Sequence, residues 1–253
     1  MSFRTWRSYS EFSASVRSKQ RYILTEESSH FLETILETCN DRIRVIKKDS
    51  YIWRAQVGHD WRPHHEYDDE TETSIYVDDL PCPYPHERMK PLIDSATEGR
   101  VNSKGIPYLY VASDKETAMA EARPWLGALV TACYLKVKKD IKILDFSVGH
   151  GKNNFSIYFK ESPTKEEIVD AVWLEIDNAF SKPIKVTDTK SDYAPTQIIA
   201  EFIKSKGYDG IAYKSSLHDG YNIALFDMDV ADIINCKLFK TSNIKFEFEE
   251  EPY

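Results

Sequence analysis

An α+β fold built on a mixed sheet is what this sequence predicts, and three observations carry the prediction. Aromatic and β-branched runs such as 51–57 and 108–112 are interspersed with capped amphipathic stretches such as 164–180, without the regular strand–helix alternation of a doubly wound sheet. The chain has 253 residues, 42% of them hydrophobic and 13% aromatic, which is enough apolar side chain for a sizeable core and excludes global disorder. No apolar run approaches the ~18 residues that cross a bilayer, so membrane-spanning classes fall away.

Residues 1 to about 50 read as helical. Between Thr25 and Cys39 the apolar residues Phe31, Leu32, Ile35 and Leu36 recur at helical spacing, and Thr25 is placed to cap Glu26 and Glu27. From Tyr51 to Val57 the pattern changes to a strand that carries Arg54. Residues 60–98, rich in His, Asp, Glu, Pro and Thr, show little periodicity and read as a long, partly ordered excursion. A strand follows at Tyr108–Ala112. Ser113-Asp114-Lys115-Glu116 then forms a capping box for a helix through Glu121 that Pro124 stops. Strands at Leu129–Val137 and Ile141–Phe146 lead to a helix capped by Thr164-Lys165-Glu166-Glu167. A last helix starts at Pro195 and ends at Gly207, and strands Ile211–Tyr213 and Asn222–Phe226 flank a Ser/Gly loop.

Composition narrows the function. The net charge of −8 argues against a protein that binds nucleic-acid backbones directly. Cysteines 39, 82, 133 and 236 contain no C-x-x-C pair and fit reduced thiols. The N-terminal residues lack the apolar segment of a secretory signal, so the expected location is cytoplasmic. Gly149-His150-Gly151 has Asn154 where a dinucleotide fingerprint needs its third glycine, and Gly151-Lys152 lacks the remainder of a P-loop. There is no G-x-S-x-G elbow and no H-E-x-x-H. His59, His64, His65, Cys82 and His86 match no closed metal site, so no metal is expected.

What remains is dispersed. An arginine midway along Tyr-Ile-Trp-Arg-Ala-Gln-Val must either snorkel to water or meet an anion, and Glu121 is one candidate for a buried ion pair with it. Glu121 stands beside Ala118, Ala120 and Ala122, small neighbours that leave room for a substrate. Taken singly, it reads as a glutamate on a helix surface.

Together these pieces resemble the RES-domain family, named for its Arg, Glu and Ser. The resemblance runs from about Tyr51 to Asp227 and rests on Trp53-Arg54-Ala55, the segment GRVNSKGIPYLYVASDKETAMAEARP from Gly99 to Pro124, Tyr193-Ala194-Pro195-Thr196-Gln197, and DGIAYKSSLHDGYNIALFD from Asp209 to Asp227. It implies a fold similar to ADP-ribosyltransferases, with a mixed sheet, flanking helices and here a helical N-terminal segment. It also implies an enzyme that consumes NAD⁺, its substrate, as bacterial toxins of the family do, and a cognate antitoxin as partner.

By the same resemblance the family's Arg, Glu and Ser fall on Arg54, Glu121 and Ser215, with Ser216 as the alternative serine and Tyr110 as the aromatic residue of the pocket. Glu121 would stabilise an oxocarbenium-like centre as the nicotinamide–ribose bond breaks, Arg54 and Arg100 would hold phosphate or ribose, and Ser215, Ser216 and Asn222 would add polar contacts. The acceptor would be water or phosphate. Transfer of ADP-ribose to a protein and an idle nucleotide-binding module are the alternatives. The expected division is a helical N-terminal segment at 1–50, a RES-type domain at 51–240 and an acidic tail at 241–253, with the oligomeric state open.

Overall fold

Thr25 caps its helix as its position suggests: its Oγ1 accepts from the Ser28 amide at 3.1 Å, satisfying one of the free donors at the start of α2 (Glu26–Glu37). The computed structural model describes residues 2–152, 157, 159–182, 190–245, 248 and 250. Ahead of α2 lies α1 (Ser8–Ser18); later come α3 (Lys115–Glu121), α4 (Lys165–Ser181) and α5 (Ala194–Ser205). The capping box of α4 is complete, with Thr164 Oγ1 accepting from Glu167 N and Glu167 Oε2 accepting from Thr164 N.

Eight strands form one sheet in the order β1 (Ile43–Ile46), β7 (Ile141–Asp145), β8 (Gly210–Lys214), β9 (Tyr221–Leu225), β5 (Leu109–Ala112), β2 (Tyr51–Val57), β6 (Leu129–Val137), β10 (Ala231–Lys240). β7 and β8 run parallel and the other neighbours antiparallel, so the sheet is mixed, and with its flanking helices the fold is α+β. Strand alternation gives the sheet two apolar faces. Leu144, Ile211, Tyr213 and Ala224 join α1, α2, α4 and α5 in one core, where Phe146, Trp173 and Phe180 are fully buried. Ile143, Ala212, Ile223 and Leu225 point the other way, into a second core with Ile52, Leu109, Val111, Cys133 and Leu135.

β2 is the seam between the two halves of the sheet. It pairs β6 over its whole length, Tyr51 to Val57, yet meets β5 at a single register pair, Trp53 with Ala112. Beyond that pair the strands diverge and side chains reach into the gap.

Four expectations need correction. The N-terminal 50 residues are not wholly helical, because Ile43–Ile46 is a strand paired with β7; four residues at a sheet edge are too few to show a period. The excursion at 60–98 contains a second sheet, the hairpin of β3 (Asp60–Asp68) and β4 (Thr73–Cys82). Both of its faces meet water, so its residues do not alternate, and Trp61, Tyr67, Ile75, Tyr76 and Val77 are all exposed. Asp114, rather than Ser113, caps α3, and Thr117 occupies the position a capping box gives to Glu. β10, an edge strand half of whose residues are exposed, is not among the strands expected above. Of the expected acidic run 247–251, residues 247, 249 and 251 lie outside the described residues, as does Asn154.

Candidate active site

Glu121 is the last residue of α3, a seven-residue helix that the Asp114 side chain starts by accepting from both the amide and the hydroxyl of Thr117 at 2.8 Å. After it the chain turns sharply, with Arg123 at φ 50° and its amide bonded to Ala120 O at 2.9 Å. Pro124 bars continuation. The carboxylate is thereby left at a helix end that faces the seam.

Two residues from the β8–β9 hairpin hold it. Ser215 Oγ accepts from the amides of Leu217 at 3.1 Å and His218 at 3.2 Å, which occupies its acceptor capacity. Its one proton is therefore directed at Glu121 Oε1, 2.6 Å away. Asn222 Nδ2 donates to the same oxygen at 2.7 Å. Both bonds reach Oε1 and neither engages Oε2. Ser215 is buried and Ser216 exposed, so the hydroxyl brought to the carboxylate is that of Ser215.

Close packing keeps the hairpin loop against α3. A Cβ at Gly220 would lie 2.1 Å from Asp114 Oδ2 and 2.2 Å from Thr117 Oγ1, so only glycine fits there. Ser113 Oγ accepts from Tyr221 N at 3.0 Å, and His218 Nδ1 shares a 3.1 Å hydrogen bond with Thr117 Oγ1. Ser113, Thr117, His218 and Gly220 thus fix the angle between Glu121 and Ser215. The pairing of a Ser/Gly loop with a short helix was the available signal, and it does not say which loop meets which helix end.

Arg54 enters from β2. Its Nη1 donates to Tyr110 O at 2.8 Å across the seam, whereas Nε is buried without a hydrogen-bond partner. Burial pulls the guanidinium down from its usual pKa. Among the described residues it forms no ion pair with Glu121, so the two are not the buried structural pair weighed from sequence. A buried donor without a partner is costly.

Tyr110 is fixed at both ends. Its hydroxyl donates to Asn102 Oδ1 at 2.7 Å and accepts from Val101 N at 3.2 Å, and burial pushes it up to about 12. Asn102 in turn donates to Thr97 O and Ile106 O, each at 2.9 Å, so the Gly99–Asn102 turn is a rigid wall. Arg100 points elsewhere: its Nη1 donates to Phe180 O, and its own carbonyl accepts from Thr196 Oγ1 at 2.6 Å. It lines neither of the cavities described next.

Two cavities meet at Arg54 and Tyr110. The smaller, about 220 Å³, is lined by Trp53, Ala55, Ala118, Glu121 and Asn222 among others. The larger, about 550 Å³, carries Gln56, Arg88, Lys90 and Tyr108. Arg88 lies over the Tyr84 ring at 4.2 Å, and Lys90 Nζ is 3.4 Å from Asp229 Oδ1. A carboxylate, an under-satisfied arginine and an aromatic wall therefore line the smaller cavity, and Arg54 and Tyr110 also line the larger one, where Arg88 and Lys90 stand with Glu87. Such a site suits an elongated substrate with a phosphate-bearing middle. Among the described residues no cluster of three or more His, Cys, Asp or Glu side chains is arranged to hold a metal ion, and no helix is long and apolar enough to cross a membrane.

Comparison with known proteins bears on the same residues. The family model of the RES domain matches residues 80–247. That span includes Arg100, Tyr110, Glu121, Ser215, Ser216 and Asn222, and Arg54 lies before it. No curated protein matches the chain. Among solved structures, the chain is similar to one from the crystal structure of the M. tuberculosis MbcT–MbcA toxin–antitoxin complex. The identity is 14% and the TM-score 0.42, covering 82% of this chain and 93% of the other.

Proposed function

The chain belongs to the RES domain family, and on that premise we propose that it is a toxin-type enzyme that consumes NAD⁺ by cleaving the bond between nicotinamide and ribose. One observation carries the reading. The Glu121 carboxylate is held through Oε1 by Ser215 and Asn222 in the wall of a cleft that Arg54 also lines.

The chemistry needs those groups. Nicotinamide leaves as a neutral base, so positive charge collects on the ribose ring and not on the leaving group. Glu121 supplies the opposing charge at that ring, and because Ser215 and Asn222 fix its orientation beforehand, little reorganisation is needed as the bond breaks. Arg54 holds the pyrophosphate. The small cavity is below the ~300–1,000 Å³ of typical ligand sites, so the nicotinamide riboside half occupies it and the adenosine half extends past Arg54 towards Arg88 and Lys90. Tyr110 offers its ring rather than its hydroxyl, which is already committed.

Water or phosphate then attacks the same carbon, giving ADP-ribose or its 1″-phosphate. A cognate antitoxin would restrain the enzyme. Incubating the purified chain with NAD⁺, with and without phosphate, and identifying products by mass distinguishes the acceptors. Persistence of NAD⁺ overturns the reading, and a mass gain on protein replaces it with ADP-ribosyl transfer.

A further inference from the structure

β6 lies between β2 and β10, and on one rung of this three-strand ladder Arg54, Cys133 and Cys236 stand directly opposite one another. Opposed residues of antiparallel strands point to the same face, with Cα atoms about 4.5–5.5 Å apart. A disulfide spans Cα separations of about 4.4–6.8 Å. The two thiols are free, with Cys133 fully buried and Cys236 half-buried. Cys39 and Cys82 have no such partner in register. The mechanism proposed for the cleft uses neither Cys133 nor Cys236.

We propose that Cys133 and Cys236 are a reversible disulfide site, closed by a low-molecular-weight disulfide such as glutathione disulfide, and that its closure slows the cleft by disturbing the rung that carries Arg54. Cys236 is the sulfur that meets the oxidant. Its thiolate attacks one sulfur of glutathione disulfide and expels a glutathione thiolate, which takes up the proton Cys236 has lost. Cys133 then gives up its proton and attacks Cys236 Sγ in the mixed disulfide, expelling the second glutathione. Two protein thiols are oxidised and one glutathione disulfide is reduced to two glutathiones.

Burial pushes the Cys133 thiol up to about 12 and raises that of Cys236 as well, so the reaction is slow at neutral pH and quickens as pH rises. Closure draws the Cys133 sulfur away from Arg54, whose charge it feels in the reduced chain. The disulfide itself is independent of the chemistry proposed above, and its effect on the cleft rests on that chemistry.

The test treats the full chain with glutathione disulfide at pH 8.5, counts thiols, maps peptides and measures NAD⁺ consumption. The expected result is loss of two of the four thiols, a mass about 2 Da lower, a Cys133–Cys236 peptide, and slower NAD⁺ consumption that dithiothreitol restores. Cys236→Ser, checked for an unchanged melt, should keep its activity in the oxidant. Four thiols remaining, or a linkage through Cys39 or Cys82, overturns the site. A closed disulfide with unchanged NAD⁺ consumption overturns its link to Arg54. Reduced protein that leaves NAD⁺ intact yet forms the linkage overturns the proposed function alone.

Discussion

Two carboxylates in this chain are held in almost the same way and sit in opposite circumstances. Glu121 Oε1 takes bonds from Ser215 and Asn222 at 2.6 and 2.7 Å. Asp177, on α4, is bonded through Oδ2 to His150 Nδ1 at 2.6 Å and through Oδ1 to Ser181 Oγ at 3.2 Å. Asp177 is 1% exposed, both its oxygens are engaged and neither cavity reaches it. Its neighbour Arg42 spends its donors on Val148 O at 2.8 Å and its guanidinium face on Trp173 at 4.1 Å. Both Asp177 oxygens are thus engaged, and the cluster ties the loop after β7 to α4. Around Glu121 both bonds fall on Oε1, and Arg54, which lines the same cavity, keeps Nε without a partner among the described residues. A serine, a carboxylate and a third polar group do not make a site; a carboxylate held in the wall of a cavity does.

Substitutions sharpen the contrast. Glu121→Gln keeps shape and loses charge, so NAD⁺ turnover should fall on the order of 10²- to 10³-fold with little change in the melt; wild-type turnover would place the catalytic carboxylate elsewhere. Arg54→Lys keeps a charge and loses the planar fork. A non-cleavable NAD⁺ analogue at 100 times its dissociation constant should stabilise wild type by about 2.7 kcal/mol and this variant by much less, read by denaturant titration. An undiminished gain would show that Arg54 does not contact the dinucleotide.

Asp177→Asn reverses the pattern. Loss of a charge-assisted hydrogen bond should lower stability by about 1.5–3 kcal/mol, while turnover per folded molecule stays at the wild-type level. A collapse of turnover in a stable Asp177→Asn protein would break the comparison. Glu175, also on α4, is a third case, with Oε2 buried and unpartnered, and burial raises its carboxyl pKa. A raised value in the folded state means that the native chain holds this proton where the unfolded chain has released it. Stability from this group is therefore full below the ordinary glutamate range and declines as pH rises through the folded value. Glu175→Gln should gain no more than about 1 kcal/mol at pH 7, with the gain vanishing near pH 4 in urea melts.

Signals that reside in a few adjacent residues are legible in the sequence. Thr25 and Thr164 announce their helices because a cap acts within three residues. The strand 51–57 is legible as an aromatic and β-branched run, and Arg54 stands out within it. Glu121 and Ser215 are named through the family resemblance, and the structure sets them 2.6 Å apart. What the sequence hides depends on distant partners. Arg100 is drawn off by Phe180 O, a backbone acceptor 80 residues away. His150 and Asp177 are 27 residues apart and carry no motif. β1 and β10 are edge strands whose outer residues face water, so neither shows the clean alternation of a half-buried strand.

The β3–β4 ribbon carries eight carboxylates between Asp60 and Cys82 against one arginine, Arg62. A two-stranded ribbon has two open edges, and Thr-Ser-Ile-Tyr-Val at 73–77 is the kind of uncharged, β-prone stretch on which further chains stack into cross-β aggregates. Several devices oppose this: Pro63 and Pro81 each remove a donor, the register shifts at His64/His65, and Asp78 and Asp79 follow the apolar stretch. The like charges of the ribbon also oppose the approach of a second copy. That protection titrates. The Thr71 hydroxyl and the Glu70 amide hold the Asp68 carboxyl below the usual carboxylate range. Colloidal stability of the whole chain is thereby tied to pH and ionic strength through a segment remote from the cleft, and light scattering should rise as the ribbon's carboxylates are protonated or screened.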